Sequence, residues 1–198
     1  MDGALNAWLH AGIGSDSDRM QALVEGYQWL QRHGLIASGP FAPYNGVITR
    51  LGRAVLNDGP RVLHALELLS AELHPAIAKV RSQFYLGEYE LGAFAAMKAV
   101  EVRVREVGGF SDSDFGVHLM REAFRPDSEK AKPMGPLTDE SAESGERQGL
   151  SNLFAGAVAV FKNPSSHRNV SFDDPVEAAE IVNFASLLLR IVDRRSHR

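Results

Sequence analysis

From about position 60 to the C-terminus, apolar residues recur at three- and four-residue intervals, the spacing that gathers them on one face of an α-helix. Tyr89, Ala93, Ala96, Met97, Val100 and Val104 form one such stripe. It predicts a long helix from about Glu88 to Val107, ended by Gly108-Gly109. Ala178, Ile181, Val182, Ala185, Leu188, Leu189 and Val192 form another, in a helix from Pro175 to about Arg194. Asp174, Pro175 and Glu177 mark its start. A third stripe runs from about Ser144 through Leu150, Leu153, Phe154, Ala157, Val158 and Phe161. Asn163-Pro164 stops it, because proline lacks an N–H and disfavours helical geometry in the residue before it. Shorter helices are predicted from Val62 to Leu73, from His74-Pro75 to near Gly87, and through Phe124 after Ser111-x-x-Asp114, which has the form of a capping box. Between Arg125 and Glu140, prolines and Gly135 sit among charges, and a mobile loop is expected.

The first 57 residues read differently. Ser15-Asp16-Ser17-Asp18 has capping-box form with Asp in the last place, and Met20, Leu23, Val24, Tyr27 and Leu30 continue it as an amphipathic helix closed by Gly34. Leu35-Ile36 and Val47-Ile48-Thr49 are extended pieces flanking a loop of turn residues from Gly39 to Gly46. Thr49 is placed to cap a short helix through Leu56. The stretch from Glu25 to Ile36, followed by Val47 to Arg53, resembles a winged helix-turn-helix. Arg19, Arg32, Arg50 and Arg53 are offset by Asp2, Asp16, Asp18 and Glu25, however, whereas duplex binding needs a surplus of cations on one face. Protein docking and RNA positioning stand level with DNA binding. The turn cluster Asn57-Asp58-Gly59-Pro60 places the domain boundary, giving a winged-helix-like module at 1–57 and a helical bundle at 58–198, a mainly α fold.

Composition narrows the functional classes. With 44% hydrophobic and 23% charged residues, a formal net charge of -4 and pI near 6.0, this is an ordinary globular chain and no general coat for nucleic acid. It contains no cysteine, which excludes disulfides and thiolate metal sites and makes cytoplasmic residence the default. No stretch approaches the ~18 apolar residues of a membrane span, and no signal pattern opens the chain. His64, His74 and His118 are scattered and read as structural, so no metal or other cofactor is expected.

Candidate chemistry gathers where the third stripe ends. Lys162 and Asn163 sit at the helix C-terminus, with His167 in the turn beyond. Lysine at that position also complements the helix dipole, and a histidine in a polar turn is commonly just solvated. On the long helix, Leu91, Phe94, Lys98, Glu101 and Arg105 mix apolar with charged groups. That mixture fits either solvated i, i+4 pairing or the lining of a cleft. The cleft reading makes Lys98 and Glu101 substrate contacts.

A wider set of marks occurs in order: His74-Pro75, Gly87-Glu88-Tyr89, Ala96 to Arg103, Leu119-Met120 with Ala123-Phe124, and Glu146 with Gly149-Leu150. Ala155-Gly156-Ala157, Asn163-Pro164-x-x-His167 and Asp174/Glu177/Ala178 complete it. Over roughly residues 62 to 193 this resembles the Ymh-type family, placed within the HEPN superfamily of helical bundles. The superfamily hallmark is arginine, a polar residue, a few variable residues, then histidine. Asn163 and His167 match it, and Lys162 stands where arginine is usual.

The resemblance implies a metal-independent endoribonuclease acting as a homodimer, in which two such corners meet as one RNA-cleaving cleft, in a defence or toxin-type effector. It implies Lys162, Asn163 and His167 as the catalytic set, with Arg168 offering a further guanidinium to the substrate. RNA carries its own nucleophile in the 2′-OH, so protein groups need only position it, move protons and stabilise charge. Histidine, with an ordinary pKa of about 6.5, exchanges protons near neutrality. The cation would neutralise the scissile phosphate and Asn163 orient it, giving a 2′,3′-cyclic phosphate and a 5′-OH. Lysine keeps arginine's charge but lacks its bidentate fork. The superfamily also includes non-catalytic RNA- and protein-binding modules, and a third reading is a winged-helix transcriptional regulator dimerised by the bundle. Expected partners are a second copy, RNA and a regulatory protein at the N-terminal module, with no membrane.

Overall fold

A computed structural model describes residues 17–39, 46–127, 133–162 and 174–196. The chain divides into two units, residues 1–63 with 85–87, and residues 64–84 with 88–198.

In the first unit, α1 (Ser17–Arg32) begins with Asp18 in its first turn and ends with Arg32 in its last, both favourable to the helix dipole. The chain turns back at Gly34, whose φ of 68° suits glycine, and the Leu35 N–H closes on the Leu30 carbonyl at 2.9 Å. β1 (Ile36–Ser38) then pairs antiparallel with β2 (Gly46–Ile48), Ile36 opposite Ile48. Thr49 caps α2 (Arg50–Asp58) as expected, its Oγ1 accepting the Gly52 N–H at 3.0 Å. A Cβ at Gly52 would run into the Leu35 carbonyl and the Ile48 side chain, so only glycine lets α2 approach Leu35 and the end of β2 this closely. The α1 stripe departs from expectation: Leu23, Tyr27 and Leu30 are all more than a third exposed. Two three-residue strands and a short helix offer little surface to cover it. The Ser15-Asp16 part of the first capping box, and residues 40–45 of the turn-rich loop, lie outside the described residues.

Next comes α3 (Arg61–Leu68), which begins in the first unit and ends in the second. A 3-10 turn (Pro75–Ile77) follows, then α4 (Val80–Tyr85), α5 (Tyr89–Gly108), α6 (Gly116–Ala123), α7 (Ser144–Ala157) with a π-helical turn (Val158–Lys162), and α8 (Pro175–Ser196). The architecture is mainly α, and the described residues form only the two-stranded sheet. The core of the second unit lies between α5 and α8, and every residue of both predicted stripes is buried there. α6 and α7 pack beside them, with Phe124 stacked on Phe154 at 4.1 Å. No helix of the described residues is long and apolar enough to cross a membrane.

The helix expected from His74-Pro75 to near Gly87 is split into the 3-10 turn and α4, and two further predicted segments differ. α3 stops at Leu68 instead of Leu73, because side chains elsewhere take the backbone groups its next turn would use. Asn183 Nδ2 donates to the Leu68 carbonyl at 2.7 Å, its Oδ1 accepts the Ser70 N–H at 3.0 Å, and Arg81 reaches the Ser70 carbonyl at 2.6 Å. Ser186 then accepts the His74 N–H at 2.9 Å, Arg190 donates to the Glu72 carbonyl, and Asp193 takes the His74 ring. Asn183, Ser186, Arg190 and Asp193 therefore form a polar stripe on α8 that grips residues 68–74. The second difference lies in the expected mobile loop. Leu137 is 2% exposed, its N–H bonds the Ala123 carbonyl at 2.9 Å, and a Cβ at Gly135 would collide with the backbone of Glu122 and Ala123. This part of the loop is fixed by bonding to the open C-terminal end of α6, a pairing with no period to read; residues 128–132 lie outside the description.

Candidate functional site

The expected helix through Phe161 ends in the π-helical turn, an i→i+5 geometry that recurs at functional sites. Val158 is buried in this turn, and Phe161 meets Phe184 edge-on at 6.1 Å. Lys162 is its last residue. The lysine side chain is 15% exposed, and its Nζ lies 3.3 Å from Oε2 of Glu101, in mid-α5.

Glu101 is the hub. Its carboxylate is buried and receives the Gly116 N–H at 2.7 Å, while the Arg105 guanidinium stands 3.4 Å from its other oxygen. Gly116 opens α6 with a φ of 66°, and Phe115 before it has no side-chain acceptor with which to cap. A carboxylate from another helix thus satisfies one of the open N–H groups of α6 and faces the positive end of its dipole. Arg105 also donates through Nε to the Asp114 carbonyl at 2.9 Å, tying the turn before α6 to α5. Within that turn, Ser111 donates its hydroxyl and N–H to the Asp114 carboxylate, at 2.8 and 3.0 Å. These bonds, the hydroxyl's foremost, hold the Asp114 carboxyl below its ordinary range. The predicted capping box therefore closes a turn ahead of the helix, while the helix itself is capped from a distance.

Of the residues expected at the site, Lys162 and Glu101 are brought together. Lys98 is exposed and forms no ion pair among the described residues. Asn163, His167 and Arg168 lie outside the described residues. Two participants had not been singled out for the site. Arg105 carried a signal, its i, i+4 spacing from Glu101, which equally fits a solvated pair; Gly116 carried none.

A second cluster centres on Asp193. His74 Nδ1 accepts the Ala76 N–H at 3.2 Å, so the neutral ring carries its proton on Nε2 and donates it to Asp193 Oδ2 at 2.8 Å. Arg103 Nε donates to Oδ1 at 2.7 Å. Burial works to raise the Asp193 carboxyl, but the hydrogen bonds from His74 and Arg103 and the Arg103 charge outweigh it and hold the group below its ordinary range. Its bond to Asp193 in turn raises the Arg103 guanidinium. With both imidazole nitrogens engaged, this cluster has no lone pair to offer a substrate and works as a clamp. Among the described residues no group of three metal-binding side chains comes together.

Neither a curated protein nor a solved structure matches the chain significantly. A family model described as "Protein of unknown function (Hypoth_ymh)" matches residues 71–192, a span that takes in Glu101, Gly116 and Lys162. That match covers more than half of the 198 residues, and the chain belongs to the Hypoth_ymh family.

Proposed function

We propose that the protein is a metal-independent endoribonuclease, active as a homodimer and serving as a defence or toxin-type effector. The observation that carries this reading is the fixing of Lys162, the cation of the motif, 3.3 Å from the buried Glu101 carboxylate. One buried carboxylate faces two cations, Lys162 and Arg105, and the N-terminus of a helix. The lysine at the position of the superfamily's arginine is anchored on α5 and not left to swing in water.

In this reading Lys162 neutralises charge developing on the scissile phosphate, Asn163 orients it, and His167 moves the proton of the 2′-OH. Arg168 and the exposed Lys98 steer the strand. Two copies supply the two halves of the cleft, and the resemblance of the N-terminal module to a winged helix makes it the docking element for RNA or a regulatory protein. The test is incubation of labelled RNA with the purified protein in EDTA. Cleavage to 2′,3′-cyclic phosphate ends is expected, with His167→Ala losing about 10²–10⁴ in rate. Lys162→Ala is expected to be comparably damaged and Lys162→Arg to keep or gain activity, since the guanidinium grips phosphate with two bonds. If Lys162→Ala cleaves like the wild type, the corner is not the catalytic centre. Sedimentation as a strict monomer would remove the composite cleft. Lysine in place of the hallmark arginine, without its bidentate fork, favours one alternative, an RNA-binding module without cleavage. It wins if every variant binds RNA and none cuts it.

A further inference from the structure

The helix α8 has 22 residues, a length of about 33 Å, and presents three kinds of face. One carries the core stripe, and a second carries the polar residues that grip residues 68–74. The third carries Glu177, Glu180, Phe184, Leu187, Ile191 and Arg194, alternately three and four residues apart along the whole helix. That alternation keeps a seam on one side of a helix, as in helices that pair lengthwise. Leu187, at the middle, is 50% exposed, and Phe184 and Ile191 beside it are only half-buried. The π-helical turn reaches the edge of the seam, where Phe161 meets Phe184.

The charges of α8 divide the same way. Arg190, Asp193 and Arg195, off the seam, are all bonded within the bundle. Glu177, Glu180 and Arg194, on the seam, are exposed and bond to nothing among the described residues. The seam thus runs acidic, apolar, basic, and its spacing reads the same from either end, with the midpoint between Ala185 and Ser186. A second copy laid antiparallel would set Phe184 against the partner's Leu187 and Glu177 against the partner's Arg194. Glu180 would fall within a turn of that same arginine. A parallel copy would instead set acid on acid and base on base. The helix dipole accounts for acid at the start and base at the end, but not for the open apolar centre between them. We propose that α8 pairs antiparallel with α8 of a second copy, about a two-fold axis through its midpoint. This rests on the homodimer of the proposed function and gives it a face. The axis passes one residue from Phe184, on which Phe161 packs, and Lys162 follows Phe161, so both corners lie beside the axis.

The experiment is sedimentation equilibrium of the full chain at micromolar concentrations in low salt, where a small interface still associates and surface charges are least screened. The wild type should dimerise. Leu187→Glu, at a position half open to water, should weaken the dimer by about tenfold or more while circular dichroism keeps the wild-type helix signal. Glu177→Arg and Arg194→Glu each set like charges together at both ends of the seam, and each should weaken it by about tenfold. Glu177→Arg/Arg194→Glu in one chain restores opposite charges and should recover the wild-type affinity, although it opposes the helix dipole more than either single change. The chain has no cysteine, so an equal mixture of Glu177→Cys and Arg194→Cys chains should oxidise to a linked dimer far faster than either variant alone. A monomer throughout overturns the proposal and the composite cleft together. A dimer that Leu187→Glu leaves intact, or a double charge variant that fails to recover, overturns the α8 seam while leaving a homodimer through another face. Cleavage assayed on the same samples keeps the readings apart: a dimer that obeys the charge swap but cuts no RNA sinks only the ribonuclease.

Discussion

Glu101 and Asp193 are two carboxylates in one helical bundle, each joined to two basic groups, and they are used in opposite ways. The Glu101 side chain is 6% exposed, flanked by Lys162 and Arg105, and receives a backbone N–H from the start of another helix. The Asp193 side chain is 32% exposed, with both oxygens spent on His74 and Arg103, and it fastens the segment before the 3-10 turn to α8. A carboxylate shut away from water makes its partners depend on it, because cations there have little solvent to fall back on. A carboxylate at the surface shares its work with water and with neighbouring hydrogen bonds. Burial, more than the identity of the charges, separates a poised corner from a clamp.

The comparison breaks most directly at Glu101. Glu101→Ala leaves two cations and the Gly116 N–H without their acceptor, and should cost about 3–5 kcal/mol in urea unfolding of the full chain. Glu101→Gln keeps an oxygen for the Gly116 N–H and should recover part of that loss. Asp193→Ala should cost less, about 1–2 kcal/mol, since solvent screens a group one third exposed. If the two alanine variants are equally stable, burial is not what distinguishes the clusters.

Acid sharpens the contrast. The folded Asp193 carboxyl titrates below its unfolded counterpart, so its contribution is complete above the unfolded value of about 3.9 and is lost as pH falls through the lower folded value. Stability measured in urea between about pH 2 and 5 should therefore fall less steeply for Asp193→Asn than for the wild type. An unchanged acid limb would mean that the His74 and Arg103 contacts do not persist in solution.

The smallest effect separates the clamp's neutral part from its charges. Asn183→Ala removes two bonds to the backbone at Leu68 and Ser70, both reachable by water, and should cost about 1 kcal/mol with no pH dependence of its own. Hydrogen exchange at the Ser70 amide should quicken at the same time. If its protection is unchanged, the α8 stripe does not hold that segment.

Much of the second unit was legible in the chain. The stripes on α5 and α8 predicted which residues are buried, and Gly109, with its left-handed geometry, ends α5 where a glycine was expected to. Thr49 and Asp174 likewise cap the helices their positions announced. At the candidate site, the lysine at the end of the π-helical turn and the glutamate on the mixed stripe of α5 were both visible, but their meeting was not. The stripe fitted solvated pairing as well as a cleft, and only the structure turns Glu101 inward while leaving Lys98 in water.

What the sequence determined by itself is what repeats locally: helix faces at a spacing of three to four residues, and caps and stops that act within one turn. Those signals lie between near neighbours, so no other part of the chain is needed to read them. What the tertiary structure decided is which distant groups meet. Gly116 comes to the Glu101 carboxylate, the α8 stripe grips residues 68–74, and Leu137 bonds to the end of α6 through the packing of whole helices. A polar residue that ends in water and one that ends on a buried carboxylate carry the same local pattern, and only the packed core tells them apart.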